Sequence, residues 1–266
     1  MPGEPEEISV LIVGGQGTYR DGHYYTEFPD RDLAIQHCAG TKRIVDENFF
    51  THVVFSGGFT QAQTPELSEA KSFLNMWTET QTKPIASIFY DEVALDSAEN
   101  VIFGLMALRL AEPKAKIRRI GFYSLWQFKK QRMNSLAKAL GIENQFYFYF
   151  FALAELANAG RLAQEGEEKQ LASMAATGDY LLRGKEWEEK RRNRYKGDDP
   201  YDTRDKKLRE RFEKVFDALD GLQKTTVSEV RAYAQDRDAN EVLNEIRKQK
   251  LDRFRAVFAQ HVLLAG

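Results

Sequence analysis

Carboxylates gather in two stretches of this chain, and such groups serve as general bases, hold ribose hydroxyls or ligate divalent ions. Glu69 follows Ser68 at the start of a helical pattern, and Glu92 lies in the run DEVALDSAEN, residues 91–100. We predict Glu69 and Glu92 as catalytic residues acting on a small molecule. The alternative interpretation is that these acids and serines only cap or decorate helices.

Glycine pairs and a basic segment complete the candidate site. Gly14 and Gly15 follow one apolar run, and Gly57 and Gly58 follow another. Glycine loops let backbone amides approach an anion, although a plain tight turn uses the same residues. The spacing matches neither a GxGxxG fingerprint nor a P-loop. The predicted ligand-binding residues are Gly14, Gly15, Gln16, Ser56, Gly57, Gly58, Ser68, Glu99, Asn100, Ser124, Lys129 and Arg132.

Each of these clusters follows a short β-rich run, and the runs alternate with helical patterns. This alternation predicts an α/β fold: a Rossmann-like, parallel, five-stranded sheet with helices on both faces. The carboxyl ends of such strands meet at one edge, where ligands bind. The predicted strands are 8–13, 52–56, 85–90, 117–124 and 145–151, and the predicted helices are 30–48, 65–80, 96–110 and 128–140.

The chain changes character after residue 151, because β-rich runs cease and charge density rises. We therefore predict an α/β ligand-binding domain, residues 1–151, and a helical C-terminal appendage, residues 152–266, packed on that domain or on a partner. The polar segment 197–204 is the expected linker, and the C-terminal helices offer a route to oligomers. The helical signals are a stripe of Leu208, Phe212, Val215, Phe216 and Leu219, capping boxes at Thr226 with Glu229 and at Asp238 with Glu241, and a last apolar face of Leu251, Phe254, Val257 and Phe258.

Composition narrows the class of protein. The net charge is −2, so no global field draws the chain to nucleic acid or an anionic membrane, and the basic run 185–196 is interrupted by acids. No apolar stretch approaches the roughly 20 residues of a membrane-spanning helix, and the acidic start is unlike a secretory signal. The single cysteine, Cys38, is expected to be a buried, inert thiol. We expect a cytoplasmic protein without a membrane partner, and nucleic-acid binding through Arg191, Arg192 and Arg194 is the minor alternative to a solvated helix face.

The order of these motifs resembles the DUF218 (YdcF-like) family over residues 8–145. Members have a Rossmann-like fold, and the resemblance implies a nucleotide-like ligand, with S-adenosylmethionine suggested for some members and membrane anchoring for others. Lys129 stands where the family often has histidine, and the loop 16–29, a ligand lid or a surface cover, has no counterpart. The residues that carry the resemblance are Gly14, Gly15, Ser56, Gly57, Gly58, Ser68, Glu69, Glu92, Glu99, Asn100 and Arg132.

Two functions fit this pattern. The first is a hydrolase or group transferase acting on a nucleotide-like or phosphorylated small molecule, with Arg132 neutralising charge and glycine amides holding the anion. The second is a binding or sensing module for a nucleotide or S-adenosylmethionine, with the helical tail contacting a partner. No transition-metal motif is present, and a divalent ion held by the acids is the minor alternative.

Overall fold

The computed structural model describes residues 6–15, 17–20, 23–25, 31–61, 63–80, 87–150, 208–223 and 237–264, together with residues 165, 167, 168, 171, 206, 230 and 234. The strands are β1 (Glu7–Gly14), β2 (Thr18–Arg20), β3 (His23–Tyr25), β4 (His52–Ser56), β5 (Ser87–Asp91), β6 (Lys116–Ser124) and β7 (Phe146–Phe150). The helices are α1 (Arg31–Asn48), α2 (Glu69–Thr80), α3 (Ser97–Ala111), α4 (Lys130–Leu140), α5 (Glu213–Gln223) and α6 (Ala239–Phe258), with a 3-10 turn at Gln127–Lys129 and a π turn at Ala259–Leu263.

Five strands form one parallel sheet in the order β5-β4-β1-β6-β7, which confirms the predicted Rossmann-like α/β fold. The chain builds outward from β1 to β5, then crosses to the other side of β1 and adds β6 and β7. Strands β1 and β4 are central and almost wholly buried, as near-continuous apolar runs require. The order of strands reverses between β1 and β6, and ligands of such sheets bind at this switch point.

Helices cover both faces of the sheet. On one face α1 and α2 bury an aromatic cluster that includes Phe55, Phe73 and Trp77. On the other face α3 and α4 contribute to a second core with Phe103 and Met133. The placement follows from right-handed crossovers, which put helices before and after the switch point on opposite faces.

The C-terminal helices share the second core, so α3 is buried between the sheet and α5. The rings of Phe103 and Phe216 stack with centroids 5.5 Å apart. All five residues of the predicted stripe from Leu208 to Leu219 are buried. The Asp238 side chain caps α6 by accepting from the amides of Asn240 and Glu241, which confirms that predicted helix start.

Several element boundaries differ from the prediction. Helix α2 begins at Glu69 rather than at Pro65, because the amides of Glu69 and Ala70 donate to the carbonyls of Gly58 and Gly57 and so lock the chain in a loop before that point. A 3-10 turn precedes α4, which begins at Lys130. The small hairpin of β2 and β3 was not predicted.

Several predicted features lie outside the described residues: Gln16, most of the C-terminal segment 152–205 with its basic run and linker, and the capping box of Thr226 and Glu229. Among the helices that the structure does describe, none combines the length and the apolar character needed to cross a membrane.

Candidate functional site

Several of the predicted site residues lie where strands β1, β4 and β5 end. Gly14 pairs in register with Ser56, and Ser56 pairs in register with Asp91. The next loops therefore leave the sheet at the same level. We use the name strand-end cluster for Gly15, Ser56, Gly57, Glu69, Asp91, Glu92 and Asn100.

A buried hydrogen-bonded trio lies at the base of the cluster. Ser56 Oγ donates to Asp91 Oδ2 at 2.7 Å and lies 3.2 Å from Asn100 Oδ1. Asp91 Oδ1 accepts from the amide of Val93 at 2.9 Å. Burial raises the pKa of Asp91 to about 6, and the negative charge of Glu99 adds to the rise, while the bonds from Ser56 and Val93 oppose it. The trio therefore holds a carboxyl group that titrates near neutral pH.

Asp91 is not among the residues that we predict for the site, although it belongs to the same acidic run as Glu92. The signal was available in the alternation of side chains along a strand. Asp91 is the last residue of β5 and pairs in register with Ser56, so both side chains point to the same face of the sheet.

The Glu69 side chain lies against Gly15 and Gly57. A Cβ atom on Gly15 would lie 2.2 Å from Glu69 Oε2, and one on Gly57 would lie 2.7 Å from the same atom. Thr60 Oγ1 donates to Glu69 Oε1 at 2.6 Å. A side chain at either position would displace Glu69, because its Cβ would lie 2.6 Å (from Gly15) or 2.9 Å (from Gly57) from Glu69 Cβ, an atom that cannot rotate away.

The backbone amides of three of these glycines are already engaged. The amides of Gly15 and Gly57 donate to carbonyls at the ends of β4 and β5, and the amide of Gly58 donates to a carbonyl in the loop after β5, so in this conformation they do not form the anion cradle suggested by their spacing. Their function is steric and architectural. The acceptors are the carbonyls of Ser56, Asp91 and Ala94, at 2.7, 3.0 and 2.7 Å respectively.

Ser68 links the second candidate base to α2. Its hydroxyl donates to Glu92 Oε1 at 2.7 Å and accepts from the amide of Lys71 at 3.0 Å. Ser68 is thus both the cap of α2 and a support for Glu92, which is half-buried. The two candidate bases, Glu69 and Glu92, flank the start of the same helix.

Helix α3 supplies Glu99 and Asn100, which both face inward. Glu99 Oε2 accepts from the amide of Leu95 at 2.8 Å, which closes the loop before α3. The side-chain nitrogen Nδ2 of Asn100 lies close to Gly14: a Cβ atom on Gly14 would be 3.0 Å from it. Both residues shape the loops around the strand-end cluster.

The basic side of the site is more enclosed than its sequence suggested. Arg132 Nε donates to Glu167 Oε1 at 2.7 Å, and both side chains are almost wholly buried. Arg132 also lies 3.4 Å from Ser97 Oγ. Ser124 is buried and accepts from the amide of Trp126 at 3.3 Å, while Lys129 is half-buried in the 3-10 turn.

Two further buried polar side chains, His37 of α1 and Tyr123 of β6, lie next to each other, and Tyr123 is one residue before the end of its strand. Both ring nitrogens of His37 and the hydroxyl of Tyr123 are buried without hydrogen-bond partners. The His37 ring contacts Phe73 and Tyr123, with centroids 4.6 and 4.9 Å away. Burial lowers the pKa of His37 to about 3, helped by the charge of Lys129. The neighbouring Cys38 is buried as expected, and burial raises the pKa of its thiol to about 12.

The described part of the chain contains no cluster of metal ligands, and an open depression beside α4 is not lined by predicted site residues. Within the described part of the chain, no three histidine, cysteine or carboxylate groups converge as metal ligands. An open depression of about 690 Å³ beside the start of α4 contains no predicted site residue; its lining is Gln127, Phe128, Lys130, Gln131 and Asn134.

No family model matches the chain, and neither does a curated protein or a solved structure. The resemblance to the DUF218 family therefore stays a prediction.

The carboxyl groups of the strand-end cluster have the chemistry of general bases. Glu69 and Glu92 are carboxylates fixed by hydroxyl donors at the edge of the cluster, and Asp91 is a buried carboxyl with a raised pKa beneath them. Carboxylates held in this way accept a proton from water or from a substrate hydroxyl. The hydroxyls of Thr60 and Ser68 orient them.

Proposed function

We propose that the strand-end cluster binds a nucleotide-like or phosphorylated small molecule and acts on it as a hydrolase or group transferase. The observation that carries the proposal is the position of two carboxylates at the start of α2, where strands of a Rossmann-like sheet end. Glu69, the first residue of α2, lies against Gly15 after β1, and Glu92, after β5, accepts a hydrogen bond from Ser68, the residue before α2. The resemblance to the DUF218 family supports the same ligand class.

Glu69 and Glu92 are the general bases of this proposal. Thr60 and Ser68 each hold one carboxylate oxygen, which fixes the direction from which a proton is taken. A positioned general base contributes roughly 10²- to 10⁴-fold to a rate. The proposed cofactor is a divalent ion or S-adenosylmethionine. The proposed location is the cytoplasm, which fits a single, buried cysteine.

One observation favours the alternative of a binding or sensing module. Most polar side chains of the cluster are buried and bonded to one another, and three glycine amides are engaged in the same way. A site so fully satisfied can hold a ligand through a few contacts without turning it over. The C-terminal helices would then transmit binding to a partner.

Incubation of the full chain with nucleotides, sugar phosphates and S-adenosylmethionine, with and without Mg²⁺, tests the proposal. We expect product from at least one compound, and a rate that falls about 10²-fold or more in Glu69→Gln or Glu92→Gln. Glu143→Gln, at an exposed position before β7, is the matched control and should act as the wild type does. Thermal stabilisation without product in every variant would favour the binding module.

A further inference from the structure

The guanidinium of Arg132 meets a carboxylate from the C-terminal region. Nε of Arg132 and Oε1 of Glu167 are 2.7 Å apart, and the side chains are 4% and 3% exposed. The two residues are 35 positions apart, in the α/β domain and in the appendage respectively. The pair therefore joins the two regions at the side of the site where Arg132 was expected to bind a ligand.

The carboxylate of Glu167 has the chemistry of a ligand's anionic group. Carboxylate and phosphate oxygens both accept charge-assisted hydrogen bonds from a guanidinium, in similar geometry. The glycine amides that would otherwise hold an anion donate to carbonyls instead. Arg132 is a buried guanidinium with the Ser97 hydroxyl 3.4 Å from its terminal nitrogen, and such a group can recognise a negative charge.

We infer that Glu167 occupies the position on Arg132 that the anionic group of the ligand takes, so that the ligand's anion replaces this carboxylate when it binds. The inference rests on the proposed function, because it assigns the ligand's anion to one place. The exchange keeps the buried guanidinium paired in both states, which avoids the large cost of an isolated buried charge. Ligand affinity is then lowered by the strength of the internal pair.

Titration of the full chain with inorganic phosphate, and separately with acetate, tests the inference at constant ionic strength. Glu167→Gln removes the competing charge and keeps the shape, so phosphate should bind about tenfold or more tightly than to the wild type. Glu168→Gln, one residue away and exposed, is the matched control and should leave the affinity unchanged. The acetate arm shows whether the position selects phosphate or accepts any carboxylate.

Arg132→Gln in the Glu167→Gln background should abolish the gain, because the anion then has no guanidinium to meet. The inference is overturned if folded Glu167→Gln binds phosphate no better than Glu168→Gln, or if the gain persists without Arg132. Circular dichroism establishes that each variant is folded.

A measurement on the wild type covers the case in which Glu167→Gln does not fold. Glu167 should be protected from carbodiimide labelling in the free protein and become labelled at saturating phosphate. Unchanged protection would contradict the exchange. Turnover of the nucleotide panel is measured separately. Phosphate binding through Arg132 without turnover would contradict the proposed enzyme alone. Turnover with no change in phosphate affinity in Glu167→Gln would contradict the inference alone.

Discussion

The hydroxyl of Ser56 donates to the Oδ2 atom of Asp91 across 2.7 Å, from the end of one strand to the end of the next. When Asp91 is ionised, it accepts this bond. When Asp91 is protonated, its proton can turn to Ser56 Oγ, and Ser56 can then donate to Asn100 Oδ1, 3.2 Å away. The Ser56 hydroxyl therefore has an acceptor in both protonation states, Asp91 Oδ2 in the first and Asn100 Oδ1 in the second.

Asp91→Asn should stabilise the protein more at pH 8 than at pH 4.5. The pKa of Asp91 rises from 3.8 to about 6 on folding, so the folded state disfavours the ionised form. This cost is absent below pH 3.8, grows between the two values and is complete above about 6, where it reaches roughly 3 kcal/mol. Urea unfolding at both pH values measures the difference. Asp252→Asn, an exposed aspartate, is the control, and equal effects of Asp91→Asn at both pH values would contradict the raised pKa.

His37 should make the fold sensitive to acid. Its pKa falls from 6.5 to about 3 on folding, so the stability due to its neutral form is complete above 6.5 and is lost as the pH falls towards 3. The slope is at most about 1.4 kcal/mol per pH unit. His37→Phe should flatten the dependence of the melting temperature on pH between 4 and 7, whereas His261→Phe in the terminal π turn should not. If the melting temperature of His37→Phe still falls steeply between pH 7 and pH 4, the acid sensitivity is due to groups other than His37.

Gly15→Ala should displace Glu69 and weaken the fold. The added methyl group would lie 2.6 Å from Glu69 Cβ, an atom that cannot rotate away. We expect a loss of about 1–3 kcal/mol in the free energy of unfolding, together with any activity that depends on Glu69. Gly221→Ala in α5 is the matched control, because a Cβ there meets nothing within 4 Å. Denaturant unfolding of both variants is the measurement, and equal stability would show that Glu69 readily moves aside.

Arg109 should anchor the π turn Ala259–Leu263 to α3. Its guanidinium donates to the carbonyls of Val262 at 2.8 Å, Leu263 at 3.0 Å and Ala115 at 2.7 Å. Arg109→Met would leave these carbonyls without a donor, at a cost of about 2–4 kcal/mol. Faster amide exchange in the π turn Ala259–Leu263 should accompany the loss. Arg118→Met, at an exposed position of β6, should change neither quantity, and slow exchange in Arg109→Met would show that apolar packing alone holds this turn.

Sequence patterns predicted the strands and helices of this fold well because each type of element has its own period of apolar residues along the chain. The apolar run of β1 and the helical stripe at Phe212 and Phe216 both report burial directly. The predicted start of α2 at Pro65 is wrong because proline is a strong local signal for a helix start. The actual start depends on bonds from the amides of Glu69 and Ala70 to the carbonyls of Gly58 and Gly57, which lie more than ten residues earlier in the chain.

The sequence by itself determined which polar residues follow the strands, and so that Ser56, Glu69, Glu92 and Asn100 would stand near one edge of a parallel sheet. Only the tertiary structure decided which of them touch. The bond from Ser56 to Asp91 needs the register of two strands, and the pair of Arg132 with Glu167 needs the C-terminal region to meet the sheet domain. Hydrogen bonds and ion pairs depend on distances of a few tenths of an ångström between residues far apart in the chain, and no local pattern encodes such distances.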